Sequence, residues 1–447
     1  MVDPRRAVLA LTVALAGSAR AEKPVVRDFF NVIQAEGADP WVWKHSDGRY
    51  YLTVTTGGNV SVIRADTITG LNGGERKVVW TPPRSGPLSR DVWAPELHRI
   101  AGAWYVYVAA DDGKNANHRM YVLENRADDP FQGKFLLKGK LADPRADRWA
   151  IDGTVFEAMG RLYFLWSGWE GDVNGRQDLY IAPMRDPWTL SGPRVAISRP
   201  TFPWEVRGGP PTINEGPQAL IRGGSIHIVY SASGSWTNDY CLGLLSADLD
   251  GDLLAPGSWK KHDRPVFESR NRVFGPGHCS FTKSPDGSED WIVYHSARSK
   301  GSGWDRTVRA QRFAWNVDGS PLFGAPVKPE APIPLPSGEP TRWRFKGDGG
   351  DVNISTTEAG PRRLWVHYST GSKGRGREGS QPLVVNEGPP RSIRFPDSGP
   401  DHGSVVGLSV TLRQGANRLR FDKGEGAVAI DSIDLVNEPR GDDTPSR

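Results

Sequence analysis

One short pattern recurs five times between residues 39 and 278 of this chain, at an almost even spacing. Each copy sets a polar residue among glycine, proline and aromatic residues, just before a turn. Successive polar residues lie 56 to 63 positions apart, and they are Asp39, Glu96, Asp152, Glu215 and His278. Repetition at such a period indicates similar structural units that stack, because no single unit can bury its hydrophobic surface alone.

A run of strand-forming residues follows each copy after a turn glycine. These runs are rich in aromatic and β-branched residues, which favour β-sheet. They are YYLTVTT (50–56), WYVYVAA (104–110), LYFLWSG (162–168), IHIVYSA (226–232) and WIVYHSA (291–297). Two more strand-like runs complete each unit, and repeats of about 60 residues with four strands are typical of propeller blades. We therefore predict an all-β fold with a five-bladed β-propeller over residues 28–325.

The first strand of each blade runs beside the central axis of a propeller, so the five polar residues are expected to meet at one axial mouth. Four carboxyl groups and an imidazole gathered there would desolvate and repel one another, which shifts their pKa values. Such clusters are typical of functional sites. The alternative is that each residue caps backbone groups at the start of its own strand. The fivefold recurrence favours a shared site.

The N-terminal residues have the features of a secretory signal peptide. Arg5 and Arg6 precede an apolar run over residues 7–16, and residues 19–21 (Ala-Arg-Ala) form a small-x-small cleavage site. The apolar run is too short to span a bilayer, so no membrane association is expected. We predict that residues 1–21 are removed and that the protein is secreted, either extracellular or periplasmic.

Composition limits the classes of partner. The net charge of +4 comes without basic runs that alternate with aromatic residues, so nucleic acid is not an expected partner. The 17 tryptophans mostly suit packing between blades, but indole faces also stack on sugar rings. Cys241 and Cys279 either form a disulfide or remain two buried thiols. No Cys/His cluster has the spacing of a zinc site.

The C-terminal third of the chain differs from the repeats. Residues 326–340 are rich in proline and predict a stiff linker. Residues 341–436 contain about eight short alternating runs separated by turn residues, a spacing that predicts a β-sandwich. The polar residues 437–447 are expected to form a flexible tail.

The repeat sequences GADPWV, WAPELH, RWAIDGTVF, NEGPQ and GPGHCSF resemble those of glycoside hydrolase family 43 in their order and spacing. The resemblance covers nearly all of residues 28–325 and implies a five-bladed propeller. The longer stretches KHSDGRYYLTVTTGGNV and YSASGSWTNDYCLGLL look closest to exo-acting α-1,5-L-arabinofuranosidases. The segment GANRLRFDKGEGAVAIDSIDLV looks like carbohydrate-binding modules of family 6 or 35.

Hydrolysis of a glycosidic bond needs one carboxylic acid and one carboxylate on opposite walls of a pocket. The resemblance implies inversion of configuration, with Asp39 as general base, Glu215 as general acid and Asp152 as the group that orients Glu215 and raises its pKa. Glu96 lies outside this trio and is expected to have a supporting role. No cofactor is required by this chemistry. The resemblance also implies that His278 lies beside a hydrated cation, often calcium, near the propeller axis.

Two further residues are candidates for substrate binding. Trp93 either stacks on the sugar or packs between blades. Arg298 binds sugar hydroxyls, neutralises the acids or forms a surface salt bridge. The expected partners are plant cell-wall polysaccharides and oligosaccharides that contain arabinose or xylose. The favoured function is a secreted α-L-arabinofuranosidase acting on arabinan or arabinoxylan, and the alternatives are a β-xylosidase of the same family or a propeller that binds sugar without cleaving it.

Overall fold

The computed structural model describes residues 25–26, 28–143, 145–339, 342–344, 350–356, 359–370, 378–396 and 404–437. The expected signal peptide, and the expected tail after Asn437, lie outside the described residues. The protein consists of β-strands with three short 3-10 helices in the described part, at Thr69–Gly73, Asn115–Asn117 and Pro256–Ser258. The all-β prediction is confirmed. In this part of the chain, no helix has the length and hydropathy that crossing a bilayer requires.

The chain divides into two compact units, and the larger one comprises Arg27–Pro340. Its strands form successive antiparallel groups that we number sheets 1 to 5. Sheet 1 contains Trp41–Lys44, Tyr50–Thr53, Val60–Ala65 and Glu75–Trp80. Sheet 2 contains Arg90–Ile100, Ala103–Asp111, Arg119–Asn125 and Leu136–Leu141.

Sheets 3 and 4 are joined by a short parallel pairing of residues 176–177 with residues 212–213. Sheet 3 contains Ala150–Ala158, Arg161–Trp169, Arg176–Asp186, Thr189–Leu190 and Val195–Ser198. Sheet 4 contains Thr212–Arg222, Ser225–Ala232, Cys241–Asp248 and Lys260–Lys261. Sheet 5 contains Phe274–Lys283, Asp290–Ala297, Arg306–Trp315 and Pro321–Leu322. The strands Asp28–Phe29 and Ile333–Pro334 pair with each other.

Adjacent sheets share hydrophobic cores, which is why the second strands are almost entirely buried. One core joins side chains of sheets 1 and 2, and others join sheets 2 and 3, sheets 3 and 4, and sheets 4 and 5. A further core joins Leu52 and Ile63 of sheet 1 to Trp291 and Val293 of sheet 5. Each sheet therefore packs on two others, and the series returns to its beginning.

A backbone irregularity marks the start of every sheet in this unit. The residues concerned have left-handed backbone conformations, and they are Asp39 (φ 54°), Ala94 (φ 42°), Asp152 (φ 56°), Gly216 (φ 53°) and His278 (φ 40°). In sheets 2 to 5 the pairing register shifts at these positions, as it does at a β-bulge. A bulge re-aims the side chains next to it, so these irregularities control which side chains leave the plane of the sheet.

The second unit contains two antiparallel sheets. One has the strand order Val25–Val26, Arg342–Arg344, Val428–Asn437, Gly360–Thr370 and Ser404–Leu412. The other has the order Gly350–Thr356, Gly415–Phe421, Gly379–Val385 and Arg391–Phe395. Side chains from both sheets form one buried core, including Leu364 and Ile433 from the first and Leu419 and Phe395 from the second.

The two cysteines of the chain are unpaired. Cys241 and Cys279 are both buried and free, so the second of the two alternatives left open by the sequence applies. Burial raises the pKa of both thiols, because the apolar surroundings disfavour the thiolate. They therefore behave as small hydrophobic residues within the cores.

Candidate active site

A cavity of about 850 Å³ opens in the larger unit. Its walls contain all six residues that the sequence analysis assigned to catalysis, sugar binding or the ion: Asp39, Trp93, Asp152, Glu215, His278 and Arg298. These residues come from strands of the sheets or from the loops next to those strands, and together they represent all five sheets. The structure therefore brings together side chains that are far apart in the chain.

Asp39 lies at the centre of a network of polar groups. The Thr55 hydroxyl donates a hydrogen bond to Asp39 Oδ2 at 2.6 Å, and His278 Nδ1 lies 3.2 Å from Asp39 Oδ1. Arg306 Nη1 approaches the same oxygen at 3.5 Å. Burial acts to raise the pKa of Asp39, but the charge of His278 and the hydrogen bond that His278 donates hold that pKa well below its ordinary value. Asp39 is thus a carboxylate at neutral pH.

The pKa values of Glu215 and Asp152 are raised, whereas that of Asp39 is lowered. Burial is the largest cause that raises the pKa of Glu215, and the Tyr240 hydroxyl opposes it by donating a 2.8 Å hydrogen bond to Glu215 Oε1. Burial, with the nearby charges of Glu215 and Asp39, raises the pKa of Asp152 to about 8, although His278 acts against this shift. One cavity therefore contains a carboxyl group that ionises easily and two carboxyl groups that lose their protons less readily, the division that acid–base chemistry needs.

His278 connects the two kinds of carboxyl group. Its Nδ1 lies 3.2 Å from Asp39 Oδ1 and 3.8 Å from Asp152 Oδ2. Burial lowers the pKa of His278, but the charges of Asp39 and Asp152 outweigh it and raise the pKa to about 9. The imidazole is therefore a cation at neutral pH. Gly216 makes room for it, since a Cβ there would lie 2.9 Å from His278 Cγ.

Residues 30–321 match the family model described as Glycosyl hydrolases family 43. The chain belongs to this family. It is therefore a glycoside hydrolase, which confirms the class of enzyme expected from the repeat sequences. The acid and base character of the cavity agrees with a family whose chemistry depends on paired carboxyl groups.

Relatives of this family 43 hydrolase include named enzymes. The extracellular exo-α-(1→5)-L-arabinofuranosidase of Streptomyces avermitilis is 39% identical over 332 residues, which cover 72% of this chain and 68% of the relative. The α-L-arabinofuranosidase 43 of Humicola insolens is 36% identical over 384 residues, covering 82% and 79%. A solved α-L-arabinofuranosidase from Lactobacillus brevis matches with a TM-score of 0.64 and 36% identity, covering 68% of this chain and 98% of that one.

Glu96 does not reach the cavity of the hydrolase, so the expectation that all five repeat residues converge was wrong for this one. The bulge of sheet 2 places Ala94 in the left-handed position that Asp152 has in sheet 3. Glu96 follows two residues later and is buried, where Gln218 donates a hydrogen bond to its Oε1 and His98 Nε2 lies 2.9 Å from its Oε2. It connects sheets 2 and 4, in keeping with the supporting role expected for it.

The two candidate substrate-binding residues are both placed in the cavity wall. The ring of Trp93 stacks on His118 with centroids 4.0 Å apart. His118 is fixed in turn, because its Nδ1 lies 3.0 Å from Asp111 Oδ2 and its Nε2 lies 3.1 Å from the Asp91 carbonyl. Trp93 is therefore held in a fixed position in the cavity wall. Arg298 forms a 2.8 Å ion pair with Asp305, one of the alternatives expected from the sequence.

The cation expected beside His278 does not have a direct set of protein ligands. Nowhere in the described residues do three or more His, Cys, Asp or Glu side chains form a group suited to a metal ion. His278 Nδ1 faces carboxylate oxygens instead, and an imidazole that carries a proton there has no lone pair to offer at that atom. The described residues offer no cage of direct ligands for calcium; a hydrated ion beside His278 stays a prediction, and we derive no chemical step from it.

Arg306, Tyr240 and His295 are among the site residues that the sequence did not identify. Arg306 begins the third strand of sheet 5, and Tyr240 lies at the end of a loop in sheet 4. His295 lies within the strand run WIVYHSA, where its Nδ1 accepts a 3.0 Å hydrogen bond from the backbone N–H of Asp39. The repeated pattern covers only the opening strands. Only His295 carried a signal, since it is a histidine in an otherwise apolar run.

Proposed function

We propose that this hydrolase removes terminal α-L-arabinofuranosyl residues from arabinan or arabinoxylan with inversion of configuration. The observation that carries the proposal is the opposed ionisation of Asp39 and Glu215 in one cavity. The substrate class is supported by relatives that are 36–39% identical and are named arabinofuranosidases.

In the proposed mechanism the Asp39 carboxylate accepts a proton from a water molecule as that water attacks the anomeric carbon. Glu215 donates its proton to the glycosidic oxygen, and the bond between this oxygen and the anomeric carbon breaks. Inverting pairs leave about 6.5–9.5 Å between the two carboxyl groups for the water. Asp39 and Glu215 belong to sheets 1 and 4, which do not follow each other in the series of packed sheets.

Asp152 has a positioning role in this proposal. Its Oδ2 accepts a 3.1 Å hydrogen bond from the backbone N–H of Gly216, the residue after the acid. This contact fixes the bulge that aims Glu215 into the cavity. A charged Asp152 would also oppose ionisation of Glu215, because two like charges in a buried site repel.

We further propose that the larger unit is a five-bladed propeller and that the smaller unit is a β-sandwich of the carbohydrate-binding type. The shared cores that connect sheet 1 to sheet 2 and onward, and sheet 5 back to sheet 1, support the first proposal. The common core of two antiparallel sheets supports the second. Secretion is proposed from residues 1–21 and from the Streptomyces relatives that are named extracellular.

The deciding experiment incubates the full chain separately with an aryl α-L-arabinofuranoside and an aryl β-D-xyloside. We expect release of the aryl group from the arabinofuranoside alone, with the Glu215→Gln variant as the control for contaminating activity. Release from the xyloside alone would assign the chain to the β-xylosidase alternative. Binding of arabino-oligosaccharides without release from either substrate would favour a non-catalytic sugar-binding protein.

A further inference from the structure

Two tryptophans lie together at one side of the cavity. Trp236 and Trp304 both line it, and their rings meet edge to face with centroids 6.2 Å apart and an interplanar angle of 76°. Trp304 is 67% exposed, which makes it the most exposed aromatic side chain in the part of the chain that the structure describes. So large an apolar surface in water gains little for folding, and its place at a cavity suggests that a ligand covers it.

The loops that carry these rings are held in place. Trp304 Nε1 donates a 3.2 Å hydrogen bond to Ser235 Oγ, and the backbone N–H of Gly301 donates a 2.9 Å hydrogen bond to Asn238 Oδ1. Both contacts join the loop after the second strand of sheet 5 to the loop after the second strand of sheet 4. The aromatic pair is therefore formed by two loops that brace each other.

The same loops reach the reacting groups. The sheet 4 loop ends at Tyr240, whose hydroxyl donates a hydrogen bond to Glu215 Oε1 at 2.8 Å. Arg306 follows the sheet 5 loop and joins the two, since its Nη2 donates to the Ser235 carbonyl at 2.7 Å and its Nη1 lies 3.5 Å from Asp39 Oδ1. The aromatic pair is thus connected to the proton donor through a short stretch of chain.

We propose that Trp236 and Trp304 bind the sugar on the leaving-group side of the bond that is cleaved. This inference rests on the proposed function, in which Glu215 protonates the leaving oxygen. The sugar attached to that oxygen must lie beside Glu215, and the loop that carries Trp236 ends at Tyr240, which contacts Glu215. The C–H face of a furanose or pyranose ring matches an indole face, so an arabinose or xylose unit of an oligosaccharide suits this site.

The test compares one substrate that has a sugar as leaving group with one that lacks it. The values of kcat/KM are measured for α-1,5-arabinobiose and for methyl α-L-arabinofuranoside, and their ratio is compared between wild type and Trp304→Ala. We expect the ratio to fall about tenfold, which corresponds to about 1.4 kcal/mol of lost transition-state binding. The Trp304→Phe variant should recover much of the ratio, because an aromatic face remains.

Val317→Ala serves as the matched surface control, since Val317 is fully exposed and does not line the cavity. Its ratio should equal that of wild type. An unchanged ratio in Trp304→Ala, with or without a parallel loss on both substrates, would overturn the inference. If the wild type cleaves xylobiose and methyl β-D-xyloside instead, the proposed substrate class is wrong, and the same ratio measured on that pair still decides whether Trp304 binds the leaving sugar.

Discussion

The hydroxyl of Tyr240 donates a hydrogen bond to Oε1 of Glu215 across 2.8 Å of a buried site. This bond favours the ionised form of Glu215, whereas burial favours the protonated form and has the larger effect on its pKa. His278 and Arg306 also lower the pKa of Glu215, and Asp39 raises it. The pKa of the proposed acid therefore depends on several opposing effects. Among the groups that lower it, Tyr240 is the one whose replacement removes no charge.

Replacing Tyr240 with Phe should move the alkaline limb of the kcat/KM profile to higher pH. Loss of the hydrogen bond raises the pKa of Glu215, so the acid keeps its proton longer as pH rises. A hydrogen bond contributes about 1 kcal/mol, which predicts a shift of about 0.5 to 1 pH unit. The measurement is a pH–rate profile on an aryl arabinofuranoside, and a shift toward lower pH would contradict the assignment of Glu215 as acid.

Replacing Asp152 with Asn should move the alkaline limb of the kcat/KM profile to lower pH. Burial raises the pKa of the Asp152 carboxyl to about 8 and the charge of Glu215 adds to this effect, so the two groups repel each other when both are ionised. The amide removes that repulsion while it keeps an oxygen that can accept the Gly216 N–H. We expect a lower rate and an alkaline limb at lower pH, so the two variants shift the profile in opposite directions. An identical shift in both would show that this limb does not report the acid.

Asp39→Asn and Glu215→Gln should each reduce kcat by about 10²- to 10⁴-fold, the usual contribution of a general base or acid. Both changes preserve shape, so the melting temperature should stay close to that of wild type. Asp250→Asn, at an exposed turn, is the control and should retain full activity. Activity within tenfold of wild type in either cavity variant would remove that residue from the proposed catalytic pair.

Gly216→Ala should impair both stability and rate, because it adds a Cβ 2.9 Å from His278 Cγ at a residue with φ of 53°. Gly223→Ala is a matched control, since Gly223 has φ of 58° and nothing lies within 4 Å of the added Cβ. The left-handed backbone conformation should lower the free energy of unfolding of both alanine variants by about 1 kcal/mol. Overpacking should cost Gly216→Ala about 1–3 kcal/mol more. Equal melting temperatures and equal kcat in the two variants would exclude the steric role of Gly216.

Inversion predicts that the first product formed from an α-L-arabinofuranoside is the β-anomer. Proton NMR of the anomeric region in the first minutes of hydrolysis distinguishes this from later mutarotation. The expected result is a β signal that appears first and an α signal that follows. An α signal that appears first would indicate a covalent intermediate and would require a nucleophile in place of the Asp39-activated water.

The sequence indicated the all-β class and which side chains of the opening strands would meet, because both depend on a repeat that is visible in the residues. Asp39, Asp152, Glu215 and His278 line one cavity as expected. Glu96 does not, because hydrophobic alternation does not reveal where a bulge inserts a residue. The left-handed residue of sheet 2 is Ala94, two positions earlier.

The electrostatic partners were harder to predict from the chain. Arg306 and Tyr240 come from a later strand and a loop, and their distance from the carboxyl groups depends on how the sheets pack. The cause of the raised pKa of Glu215 can also be identified only from the folded structure. The family resemblance implies a neighbouring anion as the cause, whereas burial has the largest effect, and burial depends on the whole cavity.

Ala94 shows that the kink at the head of a sheet does not require a reactive side chain. The same left-handed backbone conformation recurs with aspartate, alanine, glycine and histidine. The bend is therefore a property of the fold and does not depend on which functional group the residue carries. The side chain at this bend can therefore change by mutation while the strand that contains the bend keeps its conformation. In this enzyme the bends of sheets 1, 3 and 5 carry the ionisable side chains of Asp39, Asp152 and His278, whereas those of sheets 2 and 4 carry only the buried Ala94 and Gly216.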